Sequence, residues 1–548
     1  MRPVDIYAEK KSVRTIILII LPVLLFILSF FLKEAGGPYY LNYYDPGYVY
    51  LVNSLNLMQM EDIGHTDHPG TSLQIFGAVI LKIIFWGRND VQILDTVFSN
   101  PELYLNILNK CLVTLNCIAL FCLGIFVYSK TSNIFFSLLI QLSPFISFEI
   151  FYGLVIVSPE NFLILSVLSL SAVLVYYVYD KNSDKHMFAL SMIFAVICGF
   201  GSVSKLNFIP ICLLPLFILK GLKYKLIFTG GTVLVFIILF SPALAKLSGF
   251  SVWAGNLILN SGIHGKTNLA MFDLSLYFKN IILIFSKDIF FAVIYLLIFA
   301  VLILSLIVNP QKKSGQKEIT CGKERKVLFA ILIAITFQIL VVAKNYLPYA
   351  QYYIIPSLMF SIPGLAFLIS YSLKSFKTYF SFRPSVIFIA AIIIVSVFSA
   401  YEISNSINES LQFRNESYKI NNLIKEYSKS ELVIPSVGTA NEDCALALCT
   451  MYGYSGKRIS VYRPVFSKKS SSDIFHNFWE NKLFSLSDRI DIQKEISSKK
   501  KIIVQLMQVT TIEMIVKMLK EDYNINVKDW KQILKNSNGE SIYEIYTE

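Results

Sequence analysis

Uncharged apolar runs recur through residues 15–400, and no other feature narrows the fold of this chain so far. Thr15–Leu32, Leu226–Leu244 and Ile289–Val308 each run for about 18–20 residues without a charge, close to the roughly 20 that a helix needs to span hydrocarbon. Lipid offers no hydrogen bonds, so each run must satisfy its own backbone as a helix. The runs read as about eleven spans: Thr15–Leu32, Tyr104–Tyr128, Asn133–Ile150, Pro159–Tyr177, Phe188–Val203, Phe208–Leu219, Leu226–Leu244, Ile289–Val308, Val327–Ala343, Tyr352–Tyr371 and Ser385–Ala400. Ser72–Trp86 is apolar but short, which suits an interfacial or partly inserted helix. Composition agrees: 55% of the 548 residues are hydrophobic and 16% charged, with mean hydropathy +0.58, which excludes an ordinary soluble protein. The expected fold class is therefore an α-helical polytopic membrane protein. No small-residue cleavage site follows Thr15–Leu32, so it reads as a retained span.

Lysine and arginine set the expected orientation. Arg2, Lys10, Lys11 and Arg14, the lysines at 181, 185, 220, 223 and 225, and the basic cluster from Lys312 to Lys326 fall on one side. The positive-inside rule makes that side cytoplasmic and places the long loop 33–103 on the outer face. The net charge of +12 lies mostly in short loops and carries no nucleic-acid signal, so no nucleic-acid partner is expected. Residues 1–400 thus read as a membrane domain and 401–548 as an extracytoplasmic one. The second part has nearly balanced charge, a helical connector at Glu409–Ser430, and short apolar strands (Leu432–Val437, Arg458–Tyr462, Ile502–Met507, Ile542–Tyr546) alternating with helical patterns such as Thr511–Asp522. A small α/β domain is expected. Cys444 and Cys449 could pair in an oxidising compartment, although on a helix that spacing points them apart.

The chemistry concentrates in 42–74, NYYDPGYVYLVNSLNLMQMEDIGHTDHPGTSLQ. Asp45-Pro46-Gly47 has the grammar of a helix start, Asp as cap and Pro next. Beside Tyr44 and Tyr48, the same carboxylate could instead accept a proton from a sugar hydroxyl while the rings stack on the sugar. His65-Thr66-Asp67-His68 could hold a divalent metal, though residues this close rarely ligate one ion alone. Its other readings are substrate orientation, or a turn into a helix capped by Thr71 and Gln74. Ser158-Pro159-Glu160 opens a span, where Glu160 either favours the helix start or is a second acid. Lys205 and Lys344 end spans on the side that disfavours lysine. They either snorkel or meet an anion such as a phosphate. Tyr349 and Tyr353 add aromatic lining, and Trp253–His264 reads as a further polar loop.

Together these elements resemble the GT-C superfamily of polyprenyl-phosphate-sugar-dependent glycosyltransferases, which includes protein O-mannosyltransferases and the aminoarabinose transferase acting on lipid A. The resemblance covers about residues 1–400. It matches Asp45 to the first-loop catalytic acid and Asp67-His68-Pro69-Gly70 to an H-P-P or K-P-P element. Glu160 matches the second acid, and Lys205 the lysine near the donor phosphate. Two departures stand out: Pro46 follows Asp45 where several families carry a second acid, and Gly70 replaces the second proline. The resemblance implies an inner-membrane enzyme with a polyprenyl-phosphate-linked sugar as donor and an envelope glycan, lipid or protein as acceptor. Asp45 would be the general base, with Lys205 and Lys344 at the phosphate. No cofactor is certain, and a divalent metal would fall to His65, Asp67 and His68. The alternatives are a flippase or transporter of a lipid-linked glycan, which would need ionisable groups within spans, and a receptor, which would leave the loop acids unexplained.

Overall fold

The computed structural model describes residues 3–42, 44–260, 273–307, 316–344, 350–375, 383–487 and 490–548. Among them, nine helices are long and apolar enough to cross a membrane, from Val13–Gly36 to Pro384–Tyr427. The chain is a polytopic α-helical protein with a small C-terminal α/β region. Side chains such as Ile16, Ile20, Val233 and Ile237 stay more than half exposed on these helices, a surface that suits hydrocarbon rather than water.

Three of the expected segments fold differently. Asn133–Ile150 is a bent pair, Ile134–Phe145 and Phe148–Val155, which meet at 69°. Pro144 lacks the N–H a helix needs, and Ser147, in extended conformation, starts a new helix by accepting from the amide of Glu149. Phe208–Leu219 becomes a 3₁₀ stretch, Leu206–Cys212, and a six-residue helix, Leu213–Ile218, with Pro210 and Pro215 interrupting the ladder. Hydropathy averages over such breaks. Trp253 lies in a helix, Leu247–Leu259, rather than a loop, and residues 261–264 of that expected loop are outside the described residues.

The chain forms two compact units. The first comprises Met1–Phe30, Thr66–Leu73 and Lys110–Ser404; the second comprises Phe31–His65, Gln74–Asn109 and Asn405–Glu548. In the second, a four-stranded sheet runs in the order β1 (Leu432–Pro435), β4 (Lys501–Leu506), β6 (Ser541–Thr547), β5 (Val527–Lys535), with β1 and β4 parallel and the rest antiparallel. β2 (Ile474–Asn477) and β3 (Lys482–Ser485) make a separate hairpin. Strand period two sorts the core. Ile502 and Val504 face helix Ile512–Tyr523 through Ile515, Met518 and Leu519, whereas Ile503 faces Ile420 and Ile424 of the 44-residue helix Pro384–Tyr427. Burying each such side chain contributes roughly 1.5–3 kcal/mol.

Arg458–Tyr462, expected as a strand, belongs to a 3₁₀ turn and the helix Ile459–Lys469. Tyr462 and Phe466, both fully buried, recur at helical spacing on one face. Cys444 and Cys449 share helix Glu442–Cys449 as free thiols, each bonded to a carbonyl of its own surroundings.

Candidate active site

In the first unit, Glu160 opens helix Glu160–Tyr179 directly after Pro159, and Lys205 follows the last turn of Met187–Ser204. The two side chains form an ion pair and are only 4% and 5% exposed. Desolvating such a pair costs several kcal/mol per ion, so its partners matter. The Lys205 ammonium also lies 4.4 and 4.2 Å from the ring centroids of Tyr352 and Tyr353. Rings placed over a desolvated cation supply about 2 kcal/mol. Gly153 admits this packing, since a Cβ there would come within 2.9 Å of the Glu160 Cβ.

The tyrosine pair leads to the first loop's histidine. The Tyr353 hydroxyl lies 3.4 Å from His68 Nε2, and the His68 ring sits edge-on to Trp253 at 5.1 Å. His68 holds φ +66°, a left-handed conformation uncommon outside glycine, and Gly70 holds φ +63°. Such strain persists where surroundings over-determine it, often at functional sites. It also accounts for one departure from the family pattern: proline is locked near −65° and could not occupy position 70.

Irregular backbone around the pair is held by amides. Gln338, within the span Ile319–Lys344, donates to the Asn207 carbonyl at 2.7 Å and accepts from the Ser357 amide at 3.0 Å. Asn207 in turn donates to the Tyr353 carbonyl. Asn161 donates to the carbonyls of Gly153 at 2.8 Å and Ile156 at 3.0 Å. Lys344 turns elsewhere, donating to the carbonyls of Leu257 at 3.3 Å and Ile258, where it caps the end of Leu247–Leu259.

The second unit carries Asp45. Its backbone is extended (φ −99°, ψ 113°) and helical geometry follows from Pro46, so it occupies a cap position with an exposed side chain. Burial, followed by the charge of Asp45, pushes the Cys449 thiol well up. Tyr48 is fully buried, and its hydroxyl donates to Glu102 at 3.0 Å. Glu102, in the first turn of Pro101–Thr131, also accepts from the amides of Tyr39 at 2.7 Å and Tyr40 at 3.2 Å.

Two asparagines tie the same loop to the C-terminal region. Asn53 donates to the Tyr454 carbonyl at 2.8 Å and accepts from the Gly64 amide at 2.6 Å. Asn56 donates to the Ser455 carbonyl at 3.0 Å and accepts from the Tyr462 hydroxyl at 2.6 Å. Gly64 is required here, because a Cβ would fall 2.1 Å from the Gly456 nitrogen. Lys457 pairs with Asp62 at 2.6 Å.

The metal candidates serve different surroundings. His65, in the second unit, is edge-on to Tyr50 at 5.4 Å and to Tyr454 at 5.2 Å, whereas His68 meets Trp253 and Tyr353. Among the described residues, no three His, Cys, Asp or Glu side chains converge as a metal site would require. Gln74 does not complete a capping box: its amide donates to the His65 carbonyl at 2.9 Å. Tyr349 lies outside the described residues, and only the backbone of Tyr44 is described. Of the residues singled out by sequence, Glu160, Lys205, His68 and Tyr353 share one neighbourhood. Sequence reasoning missed Asn207, Gln338, Asn161 and Glu102. Their signal was a lone amide or acid in or beside an apolar run, which is costly there unless bonded.

No protein-family model and no curated protein matches this chain. Matches among solved structures include a crystal structure of ArnT from Cupriavidus metallidurans bound to undecaprenyl phosphate, at 9% identity and TM-score 0.49 over 96% of this chain and 97% of that one.

Proposed function

We propose that the chain is a glycosyltransferase of the GT-C type, moving a sugar from a polyprenyl-phosphate carrier to an envelope glycan, lipid or protein on the outer face of a bacterial inner membrane. The observation that carries the reading is the buried Glu160–Lys205 pair, roofed by Tyr352 and Tyr353 and reached by His68 through Tyr353. An ammonium has three donors. Glu160 engages one, leaving others for a phosphate oxygen delivered from the bilayer.

In the proposed reaction an acceptor hydroxyl attacks the anomeric carbon and its proton passes to Asp45. The bond from anomeric carbon to phosphate oxygen breaks, its electron pair leaves with the polyprenyl phosphate, and configuration inverts. Lys205 steadies the departing charge, and Glu160 holds Lys205 in place. Tyr48, being buried against Glu102, supports the loop rather than the sugar, while Tyr353 remains at the lysine. Asp67 and Lys344 stay as substrate-contact proposals, and Lys344 would have to release its helix end.

The outer side follows from the lysine and arginine asymmetry, and placing the C-terminal region on the same side as the first loop draws support from parity. The first loop and the C-terminal region share one unit, so an even number of crossings must separate them. Among the described residues eight long apolar helices lie between them, from Pro101–Thr131 to Pro384–Tyr427, an even number when the bent pair is counted as re-entrant rather than as a ninth span. A periplasmic reporter fused after Glu548 should therefore be active, and a cytoplasmic signal would overturn the topology. The donor is tested with purified full-length protein in nanodiscs. Transfer should require a polyprenyl-phosphate sugar, and transfer from a nucleotide sugar without any lipid carrier would overturn the assignment. Mass analysis of envelope glycans with and without the gene would name the sugar and acceptor.

A further inference from the structure

We propose that Glu102 is a positioning residue for Asp45, holding the segment that carries it from both sides; this rests on the reading of Asp45 as the general base. Asp45 itself is exposed and sits at a break in helical geometry, so its own burial does not fix it. The residues on either side of it are anchored. On the N-terminal side, the Tyr39 and Tyr40 amides donate to Glu102 at 2.7 and 3.2 Å; on the C-terminal side, the Tyr48 hydroxyl donates at 3.0 Å. Tyr39 and Tyr48 are fully buried. Lys33 completes the shell, its ammonium 4.3 Å from the Tyr39 ring centroid and donating to the Gly37 carbonyl.

The chemistry needs a carboxylate. Three donors converge on Glu102, and an ionised carboxylate accepts at both oxygens without offering a proton of its own. A glutamine of the same shape would accept at one oxygen and turn an N–H₂ toward at least one of those donors. The anchor also stands in the first turn of a 31-residue helix, a rigid element of the kind that can hold a reactive group within about 0.5 Å. A displacement of 1 Å can cost on the order of 10²-fold in rate. Glu102 touches no reacting atom in this scheme and acts only through the Asp45 segment.

The test uses full-length protein purified into nanodiscs and added to membranes of a strain lacking the gene, which supply native acceptor. A lipid extract containing the strain's lipid-linked sugars is titrated as donor, and product is read by mass spectrometry. Glu102→Gln should lower turnover at saturating extract by at least about tenfold, with the half-saturating amount within about twofold. Hydrogen exchange at the Tyr39 and Tyr40 amides should quicken by about tenfold or more. Turnover within twofold of wild type, beside an inactive Asp45→Asn, would overturn the proposal and leave the base reading standing. An active Asp45→Asn would overturn both. Unchanged exchange at Tyr39 and Tyr40 would overturn the anchor, and a large rise in the half-saturating amount would place Glu102 in donor binding instead. If Glu102→Gln fails to fold, Tyr48→Phe removes one donor only and should lower turnover about threefold to tenfold; no change there would overturn the proposal.

Discussion

Glu102 and Glu160 each follow a proline, and each stands in the first turn of a long apolar helix, Pro101–Thr131 and Glu160–Tyr179. Their surroundings differ in kind. Glu160 is paired with a cation, Lys205, which tyrosine rings cover. Glu102 is held mainly by neutral donors, two backbone amides and a phenol. One arrangement stores a charge pair that an incoming anion could rearrange; the other fastens a loop. In the proposed reading, identical local grammar serves ligand chemistry in one unit and positioning in the other, and what separates them is which donors the tertiary packing delivers.

The largest effect that would sharpen this contrast lies at the residue the Glu102 shell surrounds. Asp45→Asn keeps the cap, because Asn caps about as well as Asp. It removes the proton acceptor, so transfer should fall by roughly 10²–10⁴-fold. Mass-spectrometric assay of the folded variant decides the point, and near wild-type transfer would leave Asp45 a cap only.

The cation pair itself comes next. Lys205→Ala strands a buried carboxylate and should destabilise the protein by about 3–5 kcal/mol, seen as loss of the monodisperse species on heating in detergent. Lys205→Met combined with Glu160→Gln removes both charges and should recover most of that stability without recovering transfer. If Lys205→Ala is as heat-resistant as wild type, the pair is not what holds these helix ends.

A third carboxylate extends the comparison. Glu540, buried in the second unit, accepts only from the Ala440 amide at 2.8 Å and the Gln505 amide at 3.1 Å among its described bonds, and burial pushes its pKa up to about 7. Its folded value thus exceeds its ordinary 4.5. The stability it contributes is complete below about pH 4.5 and lost as pH rises through 7, on the order of 3 kcal/mol. Glu540→Gln in the full chain should flatten that part of the stability profile between pH 4.5 and 7.5. An unchanged slope in thermal unfolding would show that Glu540 ionises normally.

The smallest effect expected is at Tyr48. Tyr48→Phe deletes one of three bonds to Glu102 and should cost about 1 kcal/mol, read by the same heating assay. A loss several times larger would mean that Glu102 depends on that phenol rather than on the backbone amides.

The chain's own order of residues settled a good deal. Apolar runs near 20 residues admit little but helices in lipid, so most spans and the α/β character of the tail were legible. The helix start after Asp45 was legible too, since it depends on neighbours in sequence. Breaks at Pro144, Pro210 and Pro215 were written in the chain but hidden by hydropathy averaging. Tertiary structure alone decided which lone polar residues matter. Nothing local joins Lys205 to Glu160 across 45 positions, Asn56 to Tyr462 across 406, or Glu102 to Tyr39 and Tyr48. A buried polar group must find a partner wherever the fold supplies one. Its sequence shows the need, and only the packed chain shows which partner answers it.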